Sequence, residues 1–276
     1  MRRTTGFIAI TLLCFCTALS QKSLYLDEIK KAVTRGWQEY PAQIERWKKD
    51  YQPNILWGYN PPGGPAYLAG ALGFLYEETK DVSYAKKAAE ILASYGDLRN
   101  SYPKDYAKTR AEYVNGIPAI SNFFFMPPFI RAYVRIRDCG VLDASMRKKI
   151  EDNVAGSADF IFYFPEWGTH NRAMLRAEAL QYASLALPQH PHAAKWKQMA
   201  QVLGGDNLKQ WEIEDATVYH PVWLTALYSY ADAAGRKELF DSPLTKYYPQ
   251  YFQKLIGPHG TLPEYGDARW PSGWEG

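Results

Sequence analysis

Apolar residues recur at helical spacing along almost the whole of this chain, and strand-like alternation is nearly absent. Such a pattern is buried by packing helix on helix. The spacing predicts a first helix over 24–47, with Leu24, Leu26, Ile29, Val33 and Trp37 at helical intervals and Pro41 breaking or restarting it. Four pairs follow: 65–79 with 84–95, 118–138 with 144–164, 172–186 with 192–203, and 217–234 with 242–255. The first turn spans 81–83 with Ser83 as a cap; Gly140, then Pro188 and Pro191, then Gly235 and Pro243 mark the others. Hairpins recurring at roughly 45–50 residues point to a solenoid or an α/α toroid. Without the repeated signatures of the common superhelical arrays, the toroid is favoured. The expected fold class is all-α, an incomplete (α/α) toroid of antiparallel helical hairpins.

The first twenty residues have the form of an export signal. Arg2 and Arg3 precede an apolar run from Phe7 to Phe15 that is too short for a membrane span, and Ala18, Leu19 and Ser20 offer small residues for cleavage. The expected mature protein starts near Gln21 and is periplasmic or secreted, not membrane-bound. Cys14 and Cys16 are lost on processing, which leaves Cys139 alone and gives the mature chain no internal disulfide in an oxidising compartment. Its stability must come from a core. Without Arg2 and Arg3 the net charge falls from +3 to near +1, so no global field draws the protein to nucleic acid or to a lipid surface. Attraction to an acidic ligand has to be local.

Four long connections, at 51–64, 96–117, 204–216 and the tail from 257, contain Trp or Tyr. Loops this long in a compact domain are functional more often than short ones. Trp57, Tyr59, Trp211, Trp270 and Trp274 either line a groove in which sugar rings stack or pin the loops to the helical body.

Two polar clusters carry the chemistry. EWGTHNR at 166–172 places His170, Asn171 and Arg172 where Gly168 and Thr169 open a helix, and EDATVYHPVW at 214–223 places Tyr219 and His220 at the start of another. Elimination across a uronic acid requires removing the proton beside a carboxylate whose charge holds that proton in place. An amide or imidazole donating to the carboxylate relieves this, as an oxyanion hole does in acyl transfer. A phenol can then serve as acid or base. Asn171 and His170 suit the first role and Tyr219 the second, with His220 assisting. Thr169 and Asn171 as plain helix caps, and Tyr219 and His220 as core aromatics, are the bland alternatives. In the tail, Tyr265 between Glu264 and Asp267 is a candidate second proton-transfer group or a loop anchor; His259 has the same two readings. Arg172, Trp57, Tyr59, Trp167, Trp223, Glu264 and Trp270 are candidate substrate contacts. The reading requires Asn171 and Tyr219 to face one cleft at roughly 5–10 Å.

The order of export signal, helical hairpins, a His/Asn pair at a helix start and a later acidic residue followed by Tyr-His resembles the heparinase II/III-like and oligoalginate polysaccharide lyases. The motif resemblance covers 168–172 and 214–220 only. It implies a 21–276 catalytic domain of α/α-toroid type, with Asn171 and His170 neutralising the uronate and Tyr219 as acid or base. It further implies an acidic polysaccharide or oligosaccharide as substrate and no cofactor. Two departures stand out. The pair reads His-Asn where several relatives read Asn-His, and relatives continue into a β-sandwich that supplies another catalytic group and often a metal. The expectation is either a toroid-only form or a piece of a longer lyase.

An inverting glycoside hydrolase on the same scaffold is the main rival. It needs two separated carboxylates, for which Glu166, Glu214, Asp215, Glu264 and Asp267 are candidates. A glycan-binding protein without catalysis is another. His190 and His192 lie in a proline-flanked turn where a solvated role is expected, and their spacing lacks the further ligands of a zinc site, so no protein-bound metal is expected. Residues 58–64 (GYNPPGG) lack the Lys of a phosphate loop, and no Gly-x-Ser-x-Gly elbow is present.

Overall fold

The computed structural model describes residues 4–50, 63–99, 120–163, 170–209, 219–258 and 263. Among them every regular element is helical: α1 (Thr4–Asp50), α2 (Gly63–Thr79), α3 (Val82–Arg99), α4 (Ile120–Ile136), α5 (Ala144–Tyr163), α6 (Asn171–Ala186), α7 (Ala193–Lys209), α8 (Tyr219–Ala233) and α9 (Pro243–Leu255), with a short 3-10 turn at Lys237–Asp241 before α9. The eight helices expected from the spacing after the first are therefore present. Three local expectations are corrected. Helix α7 runs to Lys209, across the start of the connection expected at 204–216. Pro41 lies inside α1 and neither breaks nor restarts it. The first turn is capped by Asp81, whose Oδ1 accepts the Ser83 N–H at 2.8 Å, so Ser83 is the capped residue. That hydrogen bond, followed by one from the Ser83 hydroxyl, holds the Asp81 carboxyl below its ordinary range.

The helices form two layers. In one, α2 packs on α4, α4 on α6 and α6 on α8; in the other, α3 packs on α5 and α5 on α7, while α2–α3 and α6–α7 join the layers. Gly140 (φ +80°) and Gly235 (φ +67°) occupy the left-handed conformation at two of the turns, which glycine adopts without steric cost.

The α2–α4 seam is unusually tight, for a reason visible in the residues. A Cβ on Gly70 would lie 3.0 Å from the Pro128 Cβ, and one on Gly73 would lie 3.0 Å from the Ala132 Cα. Two glycines one turn apart thus let the α2 backbone rest against α4. Helix α6 is the most enclosed element: all of it except Arg172 and Leu185 is buried. Ala173, Ala177, Ala179, Ala183 and Ala186 keep it slim enough to be surrounded by α4, α5, α7 and α8.

Enclosure on all sides makes the polar groups of α6 expensive unless they are paired. Arg176, fully buried, meets that demand by donating from Nε and Nη2 to the Ile161 carbonyl at 3.1 and 2.9 Å, with Phe162 O at 3.5 Å from Nη2. These are end carbonyls of α5, left without partners by helix geometry, so the guanidinium caps that helix. The α6–α7 turn also departs from expectation. His190 stacks on Trp196 at 4.5 Å, and His192 Nδ1 lies 2.8 Å from Asp159 Oδ1, which also accepts from Trp196 Nε1 at 3.0 Å. These imidazoles fasten the turn to α5 and α7 and are only partly solvated.

Candidate active-site cavity

The same ends of α2, α4, α6 and α8 surround a cavity of about 620 Å³. Its lining comes from the early turns of all four: Tyr67, then Phe124, Pro127 and Pro128, then Leu175, then Tyr219, Pro221 and Val222. Arg131, Glu178, Thr225 and Ala226 line it one to two turns further along. The volume falls in the range of small-ligand pockets.

One wall is shaped by missing hydrogens. Pro128 has no N–H, so the Phe124 carbonyl loses its helical donor. The Tyr67 hydroxyl supplies a replacement at 2.9 Å across the α2–α4 seam. Burial, helped by the nearby Glu178 charge and opposed by Arg131, raises the Tyr67 pKa, so the phenol stays protonated and able to donate.

Beyond this wall lies an ion pair. Arg131 Nε and Glu178 Oε1 are 3.5 Å apart, and Arg131 Nη1 donates to Ser229 Oγ at 2.8 Å. Glu178 is 2 % exposed. Burial raises its pKa, and the Arg131 charge and a hydrogen bond with Ser229 only partly offset this. Arg131 Nε and Glu178 Oε1 are both buried without a hydrogen-bond partner, as is Oε1 of Gln181, a neighbour on α6. The nearby Tyr182 phenol is raised chiefly by burial.

The residues singled out from sequence fall into three groups. Tyr219 lines the cavity. Asn171 is buried at the first position of α6, one turn before Leu175 and two before Glu178 on the same helix face, but is not itself among the residues lining the cavity. His170 caps α6, its Nδ1 accepting the Ala173 N–H at 3.3 Å, which leaves that nitrogen without a proton to give a substrate. Arg172 is half-buried a quarter-turn round the helix.

In the second group the placement corrects the expectation. Trp223 is completely buried, with Nε1 donating to Asn207 Oδ1 at 2.8 Å, so it has no face to offer a sugar. His220 packs between the Tyr248 and Phe252 rings of α9, with centroids 5.7 and 5.8 Å away, and takes no part in the cavity lining described here. The helical period explains His220, which lies about 100° round the helix from Tyr219. Trp223 follows Tyr219 by one turn on nearly the same face, and is removed from the cavity by its packing against Asn207 and Tyr248. The third group, Trp57, Tyr59, Trp167, Glu264, Tyr265 and Trp270, lies outside the described residues, as do Glu166, Trp211, Glu214, Asp215, His259, Asp267 and Trp274.

Sequence reasoning missed Tyr67, Arg131, Glu178 and Ser229. A signal existed for two of them. Arg131 interrupts the apolar run FFFMPPFIRAYV, and Glu178 sits in a helix whose alanines mark every side as packed. A charge at a position that helical spacing assigns to the interior is a candidate functional group.

Among the described residues no helix is long and apolar enough to cross a membrane, and no cluster of three or more His, Cys, Asp or Glu could hold a metal ion. Compared with family models, curated proteins and solved structures, the chain matches none.

Proposed function

We propose that this chain is an exported polysaccharide lyase that cleaves a uronate-containing polymer by β-elimination in the cavity between α2, α4, α6 and α8. The two helical layers would close partway round it as an incomplete α/α toroid. The observation that carries the reading is the position of Tyr219, a phenol lining a cavity of ligand size on the helix next to the one that opens with Asn171. Asn171 donates to the uronate carboxylate and draws charge onto its oxygens. Tyr219 takes the proton beside that carboxylate or delivers one to the departing glycosidic oxygen. Aligned helix N-termini add a positive potential at this end of the molecule.

The test is digestion of alginate, glucuronan, polygalacturonate and glycosaminoglycans, followed by ultraviolet absorbance of the unsaturated uronate end that elimination creates. Absorbance should grow with wild-type protein and fall by a factor of about 10² or more with Tyr219→Phe, while binding persists. Asn171→Ala should lower turnover far more than affinity.

One feature favours a second reading. Glu178 is a cavity carboxyl group with a raised pKa, the property of a general acid in an inverting glycoside hydrolase. New reducing ends without absorbance, lost in Glu178→Gln, would select that reading over elimination.

A further inference from the structure

The geometry points to the Arg131–Glu178–Ser229 cluster as a second carboxylate subsite, which receives the acid group of a sugar ring next to the one at Tyr219. The inference deepens the lyase reading and rests on the same cavity. From Asn171 to Glu178 is seven residues along α6, or about 10 Å of helix, and from Tyr219 to Ala226 is the same along α8. A uronate ring carries one carboxylate, which in this reading sits at Asn171, so an acid group reaching the cluster about 10 Å further along belongs to a neighbouring unit. In a polyuronate that unit also carries a carboxylate.

Arg131 keeps donors on its Nη edge from which such a group would accept, while its Nε is closed off against Glu178. Arg131 commits Nη1 to Ser229, while its Nε is buried without a hydrogen-bond partner. Glu178 Oε1 stands 3.5 Å from Nε as an ion pair and, as an acceptor, offers no bond to a ligand carboxylate. A guanidinium whose planar fork is only partly used suits a carboxylate, which accepts two parallel N–H bonds. Glu178 offsets the guanidinium charge when the ligand is absent and competes with it when a ligand carboxylate arrives. The charged groups facing the ligand here therefore act in opposite directions.

That opposition provides the test. The wild-type full chain, Arg131→Gln, Arg131→Lys and Glu178→Gln are titrated calorimetrically with the disaccharides of glucuronate, galacturonate and mannuronate, and with the same disaccharides after reduction of their carboxyls to alcohols. At least one acidic disaccharide should bind wild type more tightly than its reduced form. Arg131→Gln should weaken that binding about tenfold, Arg131→Lys less, and Glu178→Gln should strengthen it about threefold. Circular dichroism confirms that each variant is folded; if Arg131→Gln is not, the Lys variant and Glu178→Gln decide the matter. Both substitutions changing affinity in the same direction, no change with Arg131→Gln, or no binding of any acidic disaccharide to wild type would overturn the subsite. The lyase reading is scored separately by absorbance. Unsaturated ends with affinity indifferent to Arg131 leave lyase and remove the subsite, whereas opposite affinity changes without unsaturated ends leave the subsite and remove lyase.

Discussion

Arg176 and Arg131 are both arginines of the inner layer, and they are treated in opposite ways. Arg176, wholly enclosed in α6, spends its donors on the end carbonyls of α5, leaving no unpartnered buried nitrogen. Arg131, on α4, faces a cavity, leans on a carboxylate whose charged form burial disfavours, and keeps a buried Nε without a hydrogen bond. A saturated buried charge is structural, because every bond it makes stabilises the fold. An unsaturated one costs stability and is retained where something other than folding uses it. The contrast separates a capping arginine from the one proposed to bind ligand without reference to any relative.

The comparison can be broken from its structural side first. Arg176→Met should cost about 3 kcal/mol of unfolding free energy, since it leaves buried carbonyls unpaired, and the loss should appear in thermal melts without sugar. A smaller loss than that for Arg131→Gln would reverse the assignment of roles. The frame that holds the cavity wall is next. Gly73→Val should destabilise by about 2 kcal/mol, because its new methyl groups meet the α4 backbone, whereas Gly205→Ala, with nothing within 4 Å, should be neutral or stabilising. Trp223→Phe should cost about 1 kcal/mol by removing the hydrogen bond to Asn207 Oδ1, with sugar affinity unchanged; lost affinity would return Trp223 to the binding surface.

The smallest effect concerns Glu178 and has a definite sign. Its folded pKa is raised, so above the ordinary carboxylate range the native state holds a proton that the unfolded state has released. Stability from this group is therefore lost as pH rises through that window. Urea unfolding across about pH 4 to about pH 8 should show wild type losing ground to Glu178→Gln as pH increases. A difference that stays flat with pH would mean that Arg131 offsets burial fully, and that the pair is as satisfied as Arg176.

Most of the architecture was readable in the chain because it rests on local periodicity. The apolar spacing of α2 to α9 and the Gly and Pro punctuation of their turns placed each helix to within a few residues except the end of α7, which runs six residues past the expected 203 because Gly204 and Gly205 read as loop. Pro41 misled because a proline's local cost can be outweighed by packing on both sides, as the burial of Val33, Tyr40 and Ile44 shows. The site was legible only in part. Tyr219 was found because it opens a helix beside another titratable group. Arg131 and Glu178 are 47 positions apart, and their meeting depends on which faces of α4 and α6 adjoin, a tertiary fact that spacing does not encode. His220 was placed wrongly because the neighbour of a cavity residue on a helix points in another direction, and Trp223 because its burial against Asn207 and Tyr248 is again a tertiary fact.

The phenol that answers the orphaned carbonyl of α4 ties a side chain of α2 to the backbone of its neighbour, a directional link beside the packed seam. One side of the entrance is thus latched. The Tyr67 bond and the glycine-tight seam together fix the spacing of the α2 and α4 walls, across from the starts of α6 and α8 where the proposed chemistry sits.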